Sequence, residues 1–451
     1  MAAKNSANIT FIILHILLGL AMYFIPFMPT IFSLMAFATG LLYIIKNGNN
    51  NNEVLYAAAY FVGLEVLLRM TKNIPFYEMG KYVVTIYMLT GIILKGVKKS
   101  SLIYMIYILL LIPAIFVSVD NLTHEFNIRK AIAFNLSGPF CIGICALYCM
   151  EREITIHNLI RILKVISYPI ISIVSYIIIY QPKNLSELIT NTASNSSTSG
   201  GFGPNQVSTI LGLGMFIFFV LILINSKNKR LLILNTALFL IVSFRGIITF
   251  SRGGIITGLV MIGTLIIITY FLTNLKGKSK LILLMISGVL LAVGVWSYAS
   301  MKTSGMIENR YANRDALGRE KDSYLTGRET LMATEIEMFL KHPILGVGVG
   351  RNKEIREEET GIDLVTHSEV TRLLAEHGMF GLFALLILIY VPLSLYPTNQ
   401  QNIFLLSFFF FWILTINHAA MRLAAPAFIY ALSLLKVTFD ESYNTPNNLE
   451  A

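Results

Sequence analysis

The longest polar interval of this sequence lies between Thr326 and Gly381, and it decides how the rest of the chain is interpreted. It begins T-G-R-E-T-L (Thr326–Leu331), continues F-L-K-H-P-I-L-G-V-G-V-G-R (Phe339–Arg351) and ends T-H-S-E-V-T-R-L-L-A-E-H-G-M-F-G (Thr366–Gly381). It holds three of the seven histidines and a glycine-rich turn. Apolar segments long enough to cross a bilayer lie on both sides. We therefore expect the interval to lie at one membrane face, held there by its neighbours.

The composition excludes a water-soluble fold. Apolar residues make up 55% of the 451 residues and charged residues only 13%, about half the charged share of a typical soluble domain. The net charge of +10 comes mostly from Lys and Arg in short loops, where these side chains meet lipid headgroups. We therefore expect membrane lipids, and no nucleic acid, as partners. Cys141, Cys145 and Cys149 share one helical face and are interpreted as a packing stripe, not a metal site.

The pattern of apolar segments predicts the fold class. One transmembrane helix needs roughly 20 apolar residues, which predicts an all-α polytopic membrane protein with about 12–14 transmembrane helices. One large outward-facing loop with amphipathic helices interrupts them. The predicted spans are Ile9–Ile25, Phe27–Ile45, Val54–Met70, Tyr82–Leu94, Leu102–Val119, Ala131–Met150, Leu159–Tyr180, Gln206–Ile224, Leu231–Phe250, Ile255–Leu272, Leu281–Ala299, Phe380–Leu395, Ile403–Asn417 and Leu423–Val437.

Basic loops predict the orientation and the division of the chain. Counting along the spans puts four basic loops on one side: Lys95–Lys99, Arg152–Lys164, Lys227–Arg230 and Lys276–Lys280. By the positive-inside rule that side is the cytoplasm, so the polar interval faces outward. We predict a transmembrane helical bundle over residues 1–300 and an outer-face loop carrying the candidate site over 301–379. C-terminal transmembrane helices follow over 380–438 and a cytoplasmic tail over 439–451.

Arginines at the outer ends of spans are candidate binding residues, because charge within a membrane is costly and usually functional. Arg245 and Arg252 are seven residues apart in S-F-R-G-I-I-T-F-S-R-G-G, which predicts one helical face for both. Two guanidinium groups on one face suit a diphosphate; the alternative is that each snorkels separately to the headgroups. Gly253 and Gly254 would admit another backbone or a ligand. Arg328 is predicted to begin an amphipathic helix, where a cation does not serve the helix dipole and indicates another role.

His367 is the candidate general base. It precedes an apolar helix at the outer face with Ser368 beside it, and an imidazole accepts a proton from a sugar hydroxyl near neutral pH. The alternative is a histidine that caps the helix or lies in the interface. Arg372, on the following helix, is a further candidate cation. His342–Gly350 lacks the strand and the lysine of a phosphate loop and is interpreted as a tight turn.

Three motifs, which follow one another along Thr249–Gly381 in the family's order, resemble the O-antigen ligase and polymerase family. His367-Ser368, nine further residues and Gly378-Met379-Phe380-Gly381 resemble the family's H-[N/S/Q]-x9-G-x-x-[G/T/Y] signature. T-x-S-R-G at Thr249–Gly253 is similar to the family's arginine motif at the membrane edge. G-R-E…H-P-I-L-G-V-G-V-G is similar to its R…HP-x-x-G-x-G segment. The first half of the chain shares only the hydropathy.

The resemblance implies a GT-C-like, metal-independent glycosyltransferase without a cofactor. Such an enzyme moves a glycan from undecaprenyl diphosphate to an acceptor hydroxyl at the outer face of the bacterial inner membrane, in lipopolysaccharide or surface-glycan assembly. Its partners would be the lipid-linked glycan donor and a lipid or glycan acceptor. Carried over, Arg252, Arg328 and Arg245 would bind the diphosphate and stabilise the leaving group. His367 would be the general base, with Ser368 and Arg372 in support.

Two other functions stay open at the level of sequence. A polymerase would use the same donor with another lipid-linked repeat as acceptor, and no residue separates it from a ligase. A polysaccharide flippase or other transporter would carry charges through mid-membrane helices. Glu65 and Arg69 are the main feature in favour of a transporter, and their spacing of one helical turn predicts an internal ion pair instead.

Overall fold

The protein is almost entirely helical in the computed structural model, which describes residues 2–121, 128–180, 191–226, 228–321, 328–361, 366–419 and 421–439. The helices of the first half are α1 (Ala2–Phe24), α2 (Met28–Lys46), α3 (Glu53–Thr71), α4 (Met79–Lys95), α5 (Leu102–Leu110), α6 (Pro113–Asn121), α7 (Ile128–Cys149), α8 (Ile156–Tyr180) and α9 (Pro204–Val220). Those of the second half are α10 (Lys229–Ile248), α11 (Arg252–Leu272), α12 (Leu275–Lys302), α13 (Met306–Tyr311), α14 (Arg328–Lys341), α15 (Arg351–Thr360), α16 (Glu369–Leu395), α17 (Leu405–Ile416) and α18 (Ala424–Ser433). Two short strands, β1 (Glu153–Thr155) and β2 (Lys436–Thr438), pair in parallel.

The prediction of an all-α polytopic membrane protein is confirmed. In the described part of the chain, ten helices are long and apolar enough to cross a membrane. Every predicted span overlaps a helix of the structure, but Leu102–Val119 is divided between α5 and α6, and Leu423–Val437 continues past α18 into β2. The spans outside those ten lie on α1, α4, α17 and α18. The apolar parts of α1, α17 and α18 are shorter than 18 residues, and α4 has 17 residues in all.

Helix α9 lies at the centre of the bundle and α12 at its edge. The share of the apolar stretch that is buried is 83% around α9 but only 6% in α12, as expected for a helix that faces lipid. Helices α9 and α11 pack against each other closely. A Cβ atom on Gly254 would overlap the backbone of Ser208 on α9. This glycine therefore admits another helix, which was one of the two roles predicted for it.

Polar contacts group several loops on one face of the bundle. Strand β1 pairs with β2, which follows α18. Lys98 Nζ donates a hydrogen bond to the Glu151 carbonyl (2.5 Å), and Lys95 Nζ donates to Asn50 Oδ1 (2.6 Å). The basic loop between α4 and α5 thus lies on the same face as the loop between α7 and α8, as the span count requires. The orientation of that face in the cell stays a prediction.

Candidate functional site

The predicted amphipathic helix is α14, and it packs against the first part of α16. It buries Leu331, Glu335 and Met338 and leaves Ile336 and Leu340 exposed. The helix begins at Arg328, as predicted. The Arg328 side chain lies outside the described part of the structure, so its predicted role in diphosphate binding stays a prediction.

The glycine-rich turn between α14 and α15 caps a broken helix. Gly378 has φ 60° and ψ −138°, which interrupts α16 and leaves carbonyls of the preceding turn without helical partners. The turn supplies donors for them, because Val347 N–H bonds to the Ala375 carbonyl (2.9 Å) and Gly348 N–H to the Glu376 carbonyl (3.1 Å). The two glycines that end the H-S-x9-G-x-x-G motif therefore mark a kink. It separates a short polar helix from a membrane-spanning one.

His367 lies on a turn that begins α16. Ser368 is the N-cap residue of this helix, and its Oγ accepts a hydrogen bond from the Thr371 N–H (3.4 Å). Thr366 Oγ1 accepts from the Ser368 N–H (3.3 Å) and lies 3.2 Å from the Ser368 carbonyl oxygen. These bonds close the turn around His367, whose side chain is partly exposed. Ser368 thus caps the helix, and His367 is the residue that the turn presents.

A buried carboxylate on α14 holds this turn in place. Glu335 accepts hydrogen bonds from Thr371 Oγ1 (2.5 Å) and Thr366 Oγ1 (3.1 Å), and from Asn352 Nδ2 on α15 (3.0 Å). Its carboxylate is also 3.5 Å from Arg356 Nη1. Burial raises the pKa of Glu335, although the bonds from Thr371 and Thr366 and the charge of Arg356 lower it. Sequence reasoning missed Glu335, because one glutamate on an amphipathic helix resembles a solvated side chain.

Arg372 is bound by carboxylates of its own helix. Its guanidinium pairs with Glu369, and its Nη1 lies 2.7 Å from Glu376 Oε2. Its Nη2 also donates to the carbonyl of Asn135 on α7 (3.0 Å). Two carboxylates therefore already balance the charge of Arg372, and the side chain fixes α16 to α7.

The helix is interrupted between the two arginines that were predicted to share a helical face. Helix α10 ends at Ile248 and α11 begins at Arg252, with Phe250 at φ 59° between them. The prediction of one face for both is wrong, because no helix runs through this segment. Arg245 lies on the last turn of α10 with its Cζ 5.6 Å from the centroid of the Phe244 ring. Arg252 is the first residue of α11.

Further cations lie close to Arg252. Arg310 Nε donates to the backbone carbonyl of Phe250 at the break (2.9 Å). Burial raises the pKa of Tyr311 to about 12, although the charges of Arg252 and Arg310 lower it. Burial lowers the pKa of Lys321, and the charges of Arg310 and Arg252 lower it further, while the charge of Asp315 raises it. Arg252, Arg310 and Lys321 thus form one cationic region, of which the sequence predicted only Arg252, because no motif singles out the other two.

The connection between α17 and α18 joins the cationic region to the His367 turn. Ser368 Oγ donates to Asn417 Oδ1 (3.4 Å). The ring of the next residue, His418, packs directly against Gly253. A Cβ atom added to Gly253 would lie 2.5 Å from Cγ of that ring. Farther along, Arg422 Nη2 donates to the Thr366 carbonyl (2.6 Å). The connection therefore contacts residues on both sides of His367 and the residue that follows Arg252.

A cleft opens beside the same connection. Its lining residues are Lys81, Phe134, Asn135, Thr366, Glu369, Arg372, Met421 and Arg422. The pair of Glu65 and Arg69 borders this region: Arg69 Nη2 lies 2.6 Å from Glu65 Oε1 and donates to the Arg422 carbonyl (2.9 Å). Glu65 Oε2 accepts from the Ala424 N–H (2.7 Å). The predicted internal ion pair is confirmed, and it anchors the connection.

Comparison with known proteins found a similar family for part of the second half of the chain. Residues 237–386 match a family model described as O-antigen ligase. The match includes all the candidate site residues: Arg245, Arg252, Arg328, His367, Ser368 and Arg372. No curated protein matches the chain.

The match gives the general class of the protein. It is a multi-pass membrane protein with a glycan-assembly function of the O-antigen ligase and polymerase type. That class implies a glycosyltransferase-like enzyme and lipid-linked glycan substrates. The resemblance of this chain to the O-antigen ligase family is therefore confirmed over residues 237–386.

Proposed function

We propose that this protein is a ligase that transfers a polysaccharide from undecaprenyl diphosphate to an acceptor hydroxyl. The reaction takes place at the outer face of the bacterial inner membrane. The observation that carries the proposal is the connection between α17 and α18, which contacts Ser368 beside His367 and Gly253 beside Arg252. These contacts support the proposal that a candidate base and a candidate phosphate-binding cation belong to one site.

The proposed reaction is a displacement at the anomeric carbon of the donor glycan. His367 accepts the proton of the acceptor hydroxyl, and the acceptor oxygen forms the new bond to the anomeric carbon. The bond from that carbon to the diphosphate oxygen breaks, and undecaprenyl diphosphate leaves with the electron pair. Arg252 and Arg328 bind the diphosphate and stabilise the charge that develops on it. Arg245 is left out of this step, because the break between α10 and α11 removes the shared helical face that paired it with Arg252.

The residues around these groups have supporting roles in the proposal. Arg310 and Lys321 add positive potential near Arg252. Glu335 holds the turn that carries His367, and the ion group of Arg372 fixes α16 beneath it. Because arginines stabilise the leaving group, this reaction does not call for a metal ion, and we expect chelators to leave its rate unchanged.

Replacement of the proposed base tests the reaction. His367→Ala should reduce the rate of glycan transfer by about 10²-fold to 10⁴-fold, the usual contribution of a general base. Binding of undecaprenyl diphosphate should persist, because the arginines bind the diphosphate. The assay is transfer from a lipid-linked donor by purified protein in nanodiscs, with donor binding measured on the same sample. His342→Ala, a change at a histidine on the exposed turn, is the matched control.

Two results would count against this mechanism. Near-normal transfer by His367→Ala would exclude His367 as the base. A His367→Gln variant that stays substantially active, with a rate independent of pH, would show that the side chain only positions the acceptor. Incubation with donor alone then separates ligase from polymerase, because only a polymerase lengthens the lipid-linked glycan without another acceptor.

A further inference from the structure

Arg422 differs from the other cations around the cleft. The neighbouring cations each pair with carboxylates: Arg69 with Glu65, Lys81 with Glu78, and Arg372 with Glu369 and Glu376. No carboxylate among the described residues lies within 4.0 Å of the Arg422 guanidinium. Its Nη2 donates to the Thr366 carbonyl (2.6 Å). Arg422 is therefore the cation of the cleft whose charge has no counter-ion beside it in the described structure.

The surroundings of Arg422 favour a bound anion. Burial lowers the pKa of Arg422, and the charges of Arg372 and Arg69 lower it further. Tyr77 and Glu369 act in the opposite direction and raise it. The side chain is only partly buried and lines the cleft, whose cavity is about 20 Å³, so an anionic group at the mouth of the cleft can contact it. A guanidinium remains charged throughout the physiological range and binds a phosphate or carboxylate through two parallel hydrogen bonds. An anion in the cleft would supply the missing counter-charge.

We propose that the cleft beside Arg422 is an anion subsite that binds a phosphate or carboxylate group of the acceptor. Lys81 also lines the cleft, with its Nζ 3.5 Å from the Met421 carbonyl, but its charge is paired with Glu78, so Arg422 is the group that would bind the anion. Arg422 is bonded to Thr366, the residue before His367, so an acidic group held here brings its own molecule next to the base. The anion subsite follows from the cleft itself, and only its assignment to the acceptor rests on the proposed function.

The separation of the two cationic groups supports this assignment. His418 contacts Gly253, next to Arg252, whereas Arg422 contacts Thr366 and faces the cleft. The connection between α17 and α18 therefore has one cationic group at each end. A transferase that joins two substrates needs separate binding groups for the donor and for the acceptor. We assign the Arg252 end to the donor diphosphate and the Arg422 end to the acceptor.

The competing explanation is that Arg422 only balances charge. Arg372 pairs with two carboxylates, which leaves one negative charge over, and Arg422 could offset it at a distance. On that explanation, removal of the Arg422 charge lowers the stability of the fold and leaves anion binding unchanged. The two explanations therefore differ in a binding measurement that needs no transferase activity.

The test uses full-length protein in nanodiscs of zwitterionic lipid, with two probes. Inorganic phosphate reports the anion subsite, and undecaprenyl diphosphate reports the donor site. Binding is measured for wild type, Arg422→Gln and Arg422→Lys by the ligand-dependent rise in unfolding temperature. Arg319→Gln is the matched control, because the Arg319 side chain is 74% exposed and pairs with Asp315 outside the cleft.

The proposal predicts that Arg422→Gln weakens phosphate binding by about 10-fold to 100-fold, as expected for loss of a charged hydrogen-bond donor. Arg422→Lys should be intermediate, and this variant keeps the test valid if Arg422→Gln fails to fold. Undecaprenyl diphosphate should bind Arg422→Gln and wild type equally. Unchanged phosphate binding in Arg422→Gln, or an equal loss in Arg319→Gln, would overturn the subsite. If Arg422→Gln loses binding of both phosphate and undecaprenyl diphosphate, the assignment to the acceptor is overturned, because the anion would then belong to the donor.

Discussion

Removal of the Glu335 carboxylate should strongly destabilise the protein and the turn that carries His367. The side chain of Glu335 is 0% exposed, and it accepts hydrogen bonds from Thr371, Thr366 and Asn352. Glu335→Ala leaves the Thr371 hydroxyl and the Asn352 amide without this acceptor, and each buried unsatisfied group costs about 1–3 kcal/mol. Loss of the buried pair with Arg356 acts in the same direction. We therefore expect the free energy of unfolding to fall by about 3–5 kcal/mol.

The matched control lies on the same helix. Glu337 is 60% exposed and pairs with Lys341 on the surface (2.9 Å), so Glu337→Ala should cost less than about 1 kcal/mol. Both variants gain the same helix-forming residue, so the difference between them isolates the buried carboxylate. Denaturant or thermal unfolding in detergent micelles measures this difference in unfolding free energy. The rate of glycan transfer by the folded fraction shows whether the turn still positions His367.

Two results would refute this reasoning. If Glu335→Ala and Glu337→Ala unfold alike, the carboxylate does not hold α14, α15 and the His367 turn together. If Glu335→Ala is unstable but its folded fraction transfers glycan at the normal rate, the network stabilises the fold without positioning His367. Glu335→Gln should lie between the extremes, because an amide oxygen still accepts hydrogen bonds while the charge is lost.

Three further predictions concern pH, the leaving group and topology. Burial raises the pKa of Glu335, so the folded state binds the proton of this carboxyl more tightly than the unfolded state does. The stability of wild type relative to Glu335→Gln should therefore increase as pH falls through the raised pKa. A stability difference that is independent of pH would contradict this. Arg252→Ala should abolish transfer at unchanged membrane levels and Arg252→Lys should recover little, because an ammonium lacks the bidentate fork; full activity of the lysine variant would mean that charge alone suffices. A reporter fused after Lys278 should be cytoplasmic and one inserted near Asn195 should be outside, and the reverse result would invert the proposed orientation.

The helices were predictable from the sequence, and the break between the arginines was not. A bilayer requires long apolar segments, so hydropathy alone predicts where helices lie. The segment from Arg245 to Arg252 has no proline and no charge other than the two arginines, so it has the pattern of a continuous helix. The break is at Phe250, a bulky residue with positive φ, which sequence patterns rarely indicate. The Arg310 side chain bonds to its carbonyl, so tertiary contacts support the break.

The residues proposed for chemistry were also easier to find than those that bring them together. His367 and Arg252 were predicted from their chemistry and their positions at the ends of apolar segments, and the motifs of the family resemblance include the same residues. Asn417, His418 and Arg422 lie outside residues 237–386, in a short connection between two apolar helices. One signal was available: two cationic or titratable side chains in a loop that the span count places on the same face as His367. Side chains in such a loop are close to the site only if the helices on either side pack beside it.

That packing follows from the helices that flank the connection. Helix α17 packs against α11, which begins at Arg252, and α18 packs against α7, which contacts Arg372 through Asn135. The connection must therefore pass from the start of α11 to the start of α16. A change that shifts α18 should then disturb the His367 turn without touching it. The ion pair of Glu65 and Arg69 holds the α18 end of the connection through Arg422 and Ala424. It thus supports the site from a helix in the other half of the chain.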